Sequence, residues 1–201
     1  ELTDGVIEGG VGEGGRLLVE TRRYPSVYTH LKNFWDVSDN TNAELGATYL
    51  VGSKAADAVF EINALGLDAT LVHYVTPANK LKFQHEVYLQ DRKESFSIAD
   101  DGMRTDFEKH PWGFYSLLDY RLSPRFGIGG RFDYVQPINL NLVASPRNGD
   151  TAWSGYLTFY QSEFARWRLQ FRHTDFAAGG DDNAIFAQGT FAIGVHKHQL
   201  Q

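Results

Sequence analysis

The sequence predicts an all-β protein: an antiparallel up-and-down transmembrane β-barrel of about ten strands, alone or as part of a larger barrel. Three observations support this prediction. Segments of about ten residues alternate apolar and polar side chains, tight turns and longer polar connections follow them in alternation, and 14% of the residues are aromatic. Period-two alternation indicates strands, because successive strand side chains point to opposite faces.

Composition narrows the class of protein. A chain of 201 residues is long enough for one domain, and a net charge of −6 argues against a nucleic-acid partner. The absence of cysteine excludes disulfides, thiolate metal sites and a cysteine nucleophile. No stretch reaches the roughly 18 apolar residues of a membrane-spanning helix. We expect no cofactor.

Residues 1–26 form a glycine-rich lead-in with one candidate strand at 16–24. The run GVGEGG at 10–15 is not interpreted as a phosphate loop, because no apolar strand precedes it and no helical pattern follows. The start ELTDGVIEGG lacks a basic and then apolar run, so we expect a mature, truncated or partial polypeptide.

Residues 27–201 are predicted to supply the barrel strands. In the fourth strand Leu81, Phe83 and Leu89 share one face, while Lys82 and Glu86 share the other, and similar alternation continues through the later strands. The predicted strands are 27–36, 42–51, 64–74, 80–91, 112–122, 125–136, 151–161, 164–174 and 183–195.

The connections differ in length at the two ends of these strands. Turns are short at 75–79, 122–125 and 161–164, whereas 92–111 and 137–150 are predicted to be long loops, and 175–182 is longer than a tight turn. Short turns at one end and long loops at the other are typical of outer-membrane barrels.

A soluble β-sandwich would also alternate, so the composition of the strands has to separate the two folds. Strands of ten or eleven residues exceed the usual five or six and match the roughly 9–11 that cross a bilayer. Aromatic residues near strand ends, such as Trp112, Phe126, Trp153 and Trp167, suit two interfacial girdles. The barrel is favoured, and the sandwich stays as the alternative.

Charged side chains are expected to face a water-filled lumen, because a charge on the lipid side costs about 2–4 kcal/mol near the bilayer midplane. The predicted lumen-lining residues are Lys82, Glu86, Asp119, Arg121, Arg131, Asp133, Arg166, Arg168 and Arg172.

The alternating apolar side chains are expected to face lipid. His85 is the exception on this side, and it is expected at an interface or against a neighbouring protein. The predicted lipid-facing residues are Phe126, Ile128, Leu157, Phe159, Trp167, Leu169, Phe171, Ile185, Phe191 and Ile193.

Four segments resemble a known group of proteins: HLKNFWDVSDNTNAELGATYLVG, GFYSLLDYRLSPRFGIGGRFDYV, SGYLTFYQSEFARWRLQFRHTDF and DNAIFAQGTFAIGVHKH. They resemble strands of bacterial outer-membrane barrels of the phosphate-selective porin type and of the zinc-regulated TonB-dependent receptor type. The resemblance covers about residues 27–198 and implies a transmembrane barrel in the bacterial outer membrane. It implies no particular solute.

Metal-binding and catalytic patterns are weak. His196 and His198 lie two apart without a third ligand nearby, and the acidic residues from Asp100 to Glu108 are expected to be solvated. The pairs Glu108–His110 and His173–Asp175 belong to no nucleophile or zinc motif. We expect neither a metal site nor catalytic residues.

The predicted function is therefore a porin-like passive channel, or a membrane-embedded component of a larger transport or envelope complex. Its expected partners are outer-membrane lipid, other envelope proteins and further barrel strands. Two alternatives stay open: a structural or scaffolding barrel with a closed lumen, and a barrel enzyme of the surface-protease kind.

Overall fold

The protein forms one antiparallel sheet. The computed structural model describes residues 2–3, 26–55, 59–97, 104–137 and 147–192. Its strands are β1 (Leu2–Thr3), β2 (Ser26–Ser38), β3 (Thr41–Ala55), β4 (Val59–Tyr74), β5 (Lys80–Ser97), β6 (Arg104–Lys109), β7 (Trp112–Arg121), β8 (Phe126–Val135), β9 (Asp150–Tyr160), β10 (Ala165–Asp175) and β11 (Asp181–Phe191).

The strands follow one another through the sheet in sequence order. β6 and β7 lie in line and pair with successive parts of β5, so together they cross the sheet once. The all-β, up-and-down antiparallel prediction is confirmed. In the described part of the chain no pairing joins β11 to β1 or β2, so the sheet is open at both edges. No helix among the described residues has the length and apolarity needed to cross a membrane.

Four strands are longer than the sequence predicts. β2, β3, β4 and β5 have 13, 15, 16 and 18 residues, and β5 continues into the segment predicted as a long loop at 92–111. That prediction is wrong, because β5 and β6 pair there from Arg92 opposite Lys109 to Ser97 opposite Arg104. Backbone hydrogen bonds hold this hairpin while its side chains are mostly polar, so it lacks the alternation that marks a half-buried strand.

The turns divide between the two ends of the sheet as the strand directions require. Residues 39–40, 75–79, 122–125 and 161–164 connect strands at one end, which we call the short-turn end. At the other end, the connection between β10 and β11 consists of residues 176–180 and is a tighter turn than the one predicted at 175–182. Gly179 and Gly180 adopt φ of 100° and 86°, which glycine reaches without steric cost, and the Phe176 amide donates to the Gly180 carbonyl at 3.1 Å.

The sheet has two unlike faces. We call the side that carries Lys82 and Arg168 the polar face, and the side that carries Phe83 and Trp167 the apolar face. Every strand residue that is buried, within the described ranges, lies on the polar face, whereas the large exposed side chains lie mainly on the apolar face. Because no second layer covers the polar face there, its side chains shield one another. This indicates that the sheet curves around its polar side.

Candidate functional site

The polar face is the candidate functional site, and it brings together all nine residues predicted to line a lumen. Cross-strand register shows the shared face: Lys82 lies opposite Asp119, and Asp119 opposite Gly129. The same alternation along β5, β7, β8 and β10 places the others, which are Glu86, Arg121, Arg131, Asp133, Arg166, Arg168 and Arg172. That this face encloses water stays a prediction.

The apolar face carries the residues predicted to contact lipid. Nine of them are between 37% and 74% exposed, from Phe159 to Ile185. Trp167 lies opposite Phe159 and Gly189, and Leu169 opposite Leu157 and Ala187, so they share one side. Ile193, the tenth, lies outside the described residues. Contact with lipid stays a prediction.

Acidic side chains collect on the polar face of β2 to β5, in a group that we call the carboxylate cluster: Lys32, Glu44, Asp68 and Glu86. Lys32 pairs with Glu44 and lies 3.6 Å from Asp68 on β4, so its side chain passes over β3. Asp68 and Glu86 are direct cross-strand neighbours, and Glu86 accepts a hydrogen bond from the Tyr88 hydroxyl. These four side chains carry a net negative charge, while Lys80 and Lys82 lie on the same face of β5.

Arginines dominate the polar face of β7 to β10, in a group that we call the arginine cluster: Arg121, Arg131, Arg168 and Arg172. Each guanidinium lies over an aromatic ring, at 3.9 Å for Arg131 on Tyr115 and 4.0 Å for Arg168 on Tyr156. Such cation–π contacts stabilise the side chains. Three of the guanidinium groups also donate hydrogen bonds to protein acceptors: Arg131 to Asp133, Arg168 to Thr158 and Arg121 to the Pro124 carbonyl. The remaining two cation–π contacts are Arg121 over Tyr160 and Arg172 over Phe186.

Asp119 links three strands of the arginine cluster. It accepts a hydrogen bond from the Tyr156 hydroxyl on β9 at 2.9 Å and lies 3.9 Å from Arg168 on β10. Tyr156 reaches it across β8, and Arg168 reaches it across β9 and β8; Gly129 on β8 leaves the space that the Tyr156 ring fills. Strand spacing of about 4.8 Å puts β7 and β9 about 9.6 Å apart and β7 and β10 about 14 Å apart, so these long side chains lie along the polar face to reach Asp119.

Rings on the apolar face form two groups. Near the short-turn end, Phe126 contacts Phe159 with ring centroids 5.3 Å apart, and Trp167 contacts Phe191. Toward the other end, Phe132 contacts Trp153 with centroids 4.3 Å apart. The side chains between them along β8 to β10 are aliphatic or small except Phe171, which lies opposite Gly155; the others are Ile128, Gly130, Gly155, Leu157 and Leu169.

His85 has a polar partner on the apolar face. Its Nδ1 lies 2.7 Å from the Ser116 hydroxyl on the facing strand β7, and its ring stacks on Phe83 with centroids 6.5 Å apart. From the sequence, an interface or a neighbouring protein is predicted for this residue. Ser116 satisfies one nitrogen without either, and only strand register reveals this pair.

One group of potential metal ligands exists among the described residues. Atoms of Asp91, Glu108 and His110 lie within 4.8 Å of one another on the β5–β6 hairpin, and His110 Nδ1 is 3.5 Å from Asp91. Glu108 and His110 form a pair in the sequence, whereas Asp91 is distant from them in sequence and is brought to them by the β5–β6 hairpin. Lys93 lies 4.0 Å from Glu108 and competes with a cation for that carboxylate.

The second pair considered from sequence is also in contact. His173 Nε2 lies 3.5 Å from Asp175, which accepts a hydrogen bond from Arg147 at 3.1 Å, and His173 Nδ1 lies 3.0 Å from Asn183. These contacts form an ion-pair group at the end of the sheet opposite the short turns. Asp100, His196 and His198 lie outside the described residues, as does the candidate strand at 16–24.

Comparison with known proteins identifies no relative. No protein-family model matches the chain, and no curated protein has a significantly similar sequence. The resemblance to porin-type and TonB-dependent receptor barrels therefore stays a prediction from the sequence segments alone.

Proposed function

We propose that the chain forms the wall of a bacterial outer-membrane β-barrel that acts as a porin-like passive channel. The observation that carries the proposal is the division of the sheet into an exposed apolar face with two aromatic groups and a shielded, charged face. Membrane barrels have this arrangement, with lipid outside and water inside.

The apolar face supports contact with hydrocarbon. Leu157, Leu169 and Phe171 are each about half exposed and adjoin further exposed rings, forming a continuous surface. Apolar surface left in water costs about 25 cal/mol per Å², and soluble monomers rarely expose large contiguous patches. A sandwich would need a second layer here, and the described residues supply none.

The spacing of the two aromatic groups supports a membrane orientation. Phe126 and Tyr134 bracket the apolar stretch of β8 and lie eight residues apart. At about 3.3 Å per residue this spans about 26 Å along the strand, and tilt reduces its height to about 20 Å. Rings at both ends of a band of this height suit the two bilayer interfaces.

The polar face supports conduction of charged solutes. The carboxylate cluster and the arginine cluster lie on different parts of one inner surface, so a field runs across the enclosed space. Fixed guanidinium groups attract anions, and rings of charged side chains set selectivity in many pores.

Planar-bilayer recording tests the channel. We expect discrete conductance steps. Under a salt gradient, the reversal potential of Arg172→Gln should shift in the direction of greater cation selectivity, because a fixed positive charge has been removed. Arg125→Gln, in the turn 122–125, is the matched control and should leave the reversal potential unchanged. Folded chain that stays monodisperse in buffer without detergent would contradict the membrane proposal.

A structural barrel with a closed lumen is the second candidate. It is favoured by the side chains that bridge strands of the polar face, where Tyr156 on β9 donates to Asp119 on β7 at 2.9 Å and Arg168 on β10 lies 3.9 Å from the same carboxylate. Such bridges stiffen the wall and fill a narrow interior. Membrane-integrated protein without conductance would favour this candidate.

A further inference from the structure

The two edge strands of the open sheet run in the same direction. From β2 to β11 the chain crosses the sheet nine times, counting the in-line β6 and β7 as one crossing, and every neighbouring pair is antiparallel. An odd number of alternating crossings leaves the first and the last parallel. Direct pairing of β2 with β11 would therefore be the one parallel contact in the sheet.

These edges must be covered if the sheet lies in a membrane, as the proposed function requires. In the described residues β11 pairs with β10 alone, and β2 pairs with β3 and with the two residues of β1. Hydrocarbon offers no hydrogen-bond partner to backbone N–H and C=O groups, so open sheet edges do not occur in lipid.

A second copy of this wall in the same membrane orientation cannot cover either edge with an antiparallel pair. If two copies have their short turns on the same side of the membrane, β11 of one runs parallel to β2 of the other. Pairing β11 with its own copy is antiparallel only when the two copies are upside down relative to each other, which places their short turns on opposite sides.

The register of β1 shows which polypeptide fits the β2 edge. Leu2 lies opposite Val27 and Thr3 opposite Ser26, in antiparallel pairing. Because the pairing is antiparallel, the direction from Val27 to Ser38 on β2 corresponds to the direction from Thr3 to Leu2 on β1. A strand that continues this register along the rest of β2 would run toward Leu2.

We propose that the barrel is completed by an odd number of further antiparallel strands, of which the one paired with β2 leads into Leu2–Thr3. Such strands are antiparallel to both β2 and β11. They bring the crossings to an even number, as in bacterial single-chain barrels. We expect the side chains of these strands to continue the two faces. Apolar side chains should lie next to Leu31 and Ile185 on the apolar face, and polar side chains next to Lys32 and Phe186 on the polar face.

Disulfide mapping in bacterial membranes tests the proposal, and the native chain has no cysteine to interfere. Leu31→Cys with Ala47→Cys, and Leu169→Cys with Ala187→Cys, are directly opposed pairs and serve as positive controls. Thr3→Cys with Ser26→Cys should also cross-link. Combinations of cysteines on β2 at 29, 31 or 33 with cysteines on β11 at 185, 187 or 189 should give no disulfide.

Spin labels at Leu31→Cys and Ala187→Cys then measure the gap between the edges. One intervening strand predicts a backbone separation of about 10 Å and three predict about 20 Å, each as a narrow distribution. A β2–β11 disulfide, a disulfide-linked dimer of a single-cysteine edge variant, a broad distance distribution, or failure of the Thr3→Cys/Ser26→Cys pair would each overturn the proposal.

Membrane integration, followed by the mobility of unheated and heated protein on gels, separates this inference from the proposed function. Integrated protein with a β2–β11 disulfide overturns the odd-strand closure alone. Protein that folds in buffer without membrane overturns the proposed function as well.

Discussion

Glycines on the polar face make room for side chains from neighbouring strands. A Cβ at Gly129 would overlap the ring of Tyr156, and one at Gly46 would overlap the carboxylate of Asp68. A Cβ at Gly66 would come within 2.6 Å of the Tyr88 ring, whereas Gly155 on the apolar face has no atom within 4 Å of its Cβ position. The need for glycine therefore depends on the face as well as on the strand.

Gly129→Ala should destabilise the protein by about 1–3 kcal/mol, because the methyl displaces Tyr156 and breaks its hydrogen bond to Asp119. Gly155→Ala is the matched control and should be neutral or slightly stabilising, since alanine loses less backbone entropy than glycine. Urea unfolding in lipid vesicles measures both. Equal effects at the two positions would contradict this account of the polar face.

The His85–Ser116 pair should behave as one unit. Ser116→Ala leaves the His85 nitrogen without its partner and should cost about 1–3 kcal/mol, whereas adding Ser116→Ala to His85→Leu should cost little. A double-mutant cycle of unfolding free energies measures the coupling. Additive effects would show that the 2.7 Å contact contributes nothing to stability.

At the scale of elements, side chains tie together strands that are not neighbours. Tyr156 on β9 and Arg168 on β10 both reach Asp119 on β7, and Lys32 on β2 reaches Asp68 on β4. Backbone ladders alone would let a long sheet flex. These cross-links favour one curvature of the polar side.

Asp119→Leu should lower the free energy of unfolding by about 1–3 kcal/mol, because it leaves the Tyr156 hydroxyl without its acceptor and removes the carboxylate 3.9 Å from the Arg168 guanidinium. Glu163→Gln, at an exposed position in the turn 161–164, should change it by less than about 0.5 kcal/mol. Thermal unfolding in detergent micelles compares the two. A loss as small as that of the control would contradict a linking role for Asp119.

At the scale of the whole molecule, we expect the two faces to differ in whether they tolerate a charged side chain. Leu169→Arg places a guanidinium on the apolar face and should cost about 2–4 kcal/mol in a bilayer. Gln170→Arg, one residue along the same strand, points to the polar face and should be tolerated. The fraction of protein integrated into the membrane measures the difference, and equal integration of both variants would contradict a lipid-facing role.

The nine predicted strands each correspond to an observed long strand, because alternation over ten residues is a local property. Alternation also separated Arg168 and Trp167 onto opposite faces. It failed at the β5–β6 hairpin, where polar residues fill both faces, and at 175–182, where Gly179 and Gly180 form a tight turn. The Asp91–Glu108–His110 group was missed because its members meet only through that hairpin.

The sequence by itself determined nine long strands, their antiparallel order and the division of residues between two faces, since each follows from side-chain period and connection length. Only the tertiary structure decided which side chains meet: Asp119 with Tyr156, His85 with Ser116, Lys32 with Asp68. It also decided that, among the described residues, β2 and β11 do not pair with each other. Both depend on register and curvature, which arise from contacts between strands and leave no periodic signal in any single segment.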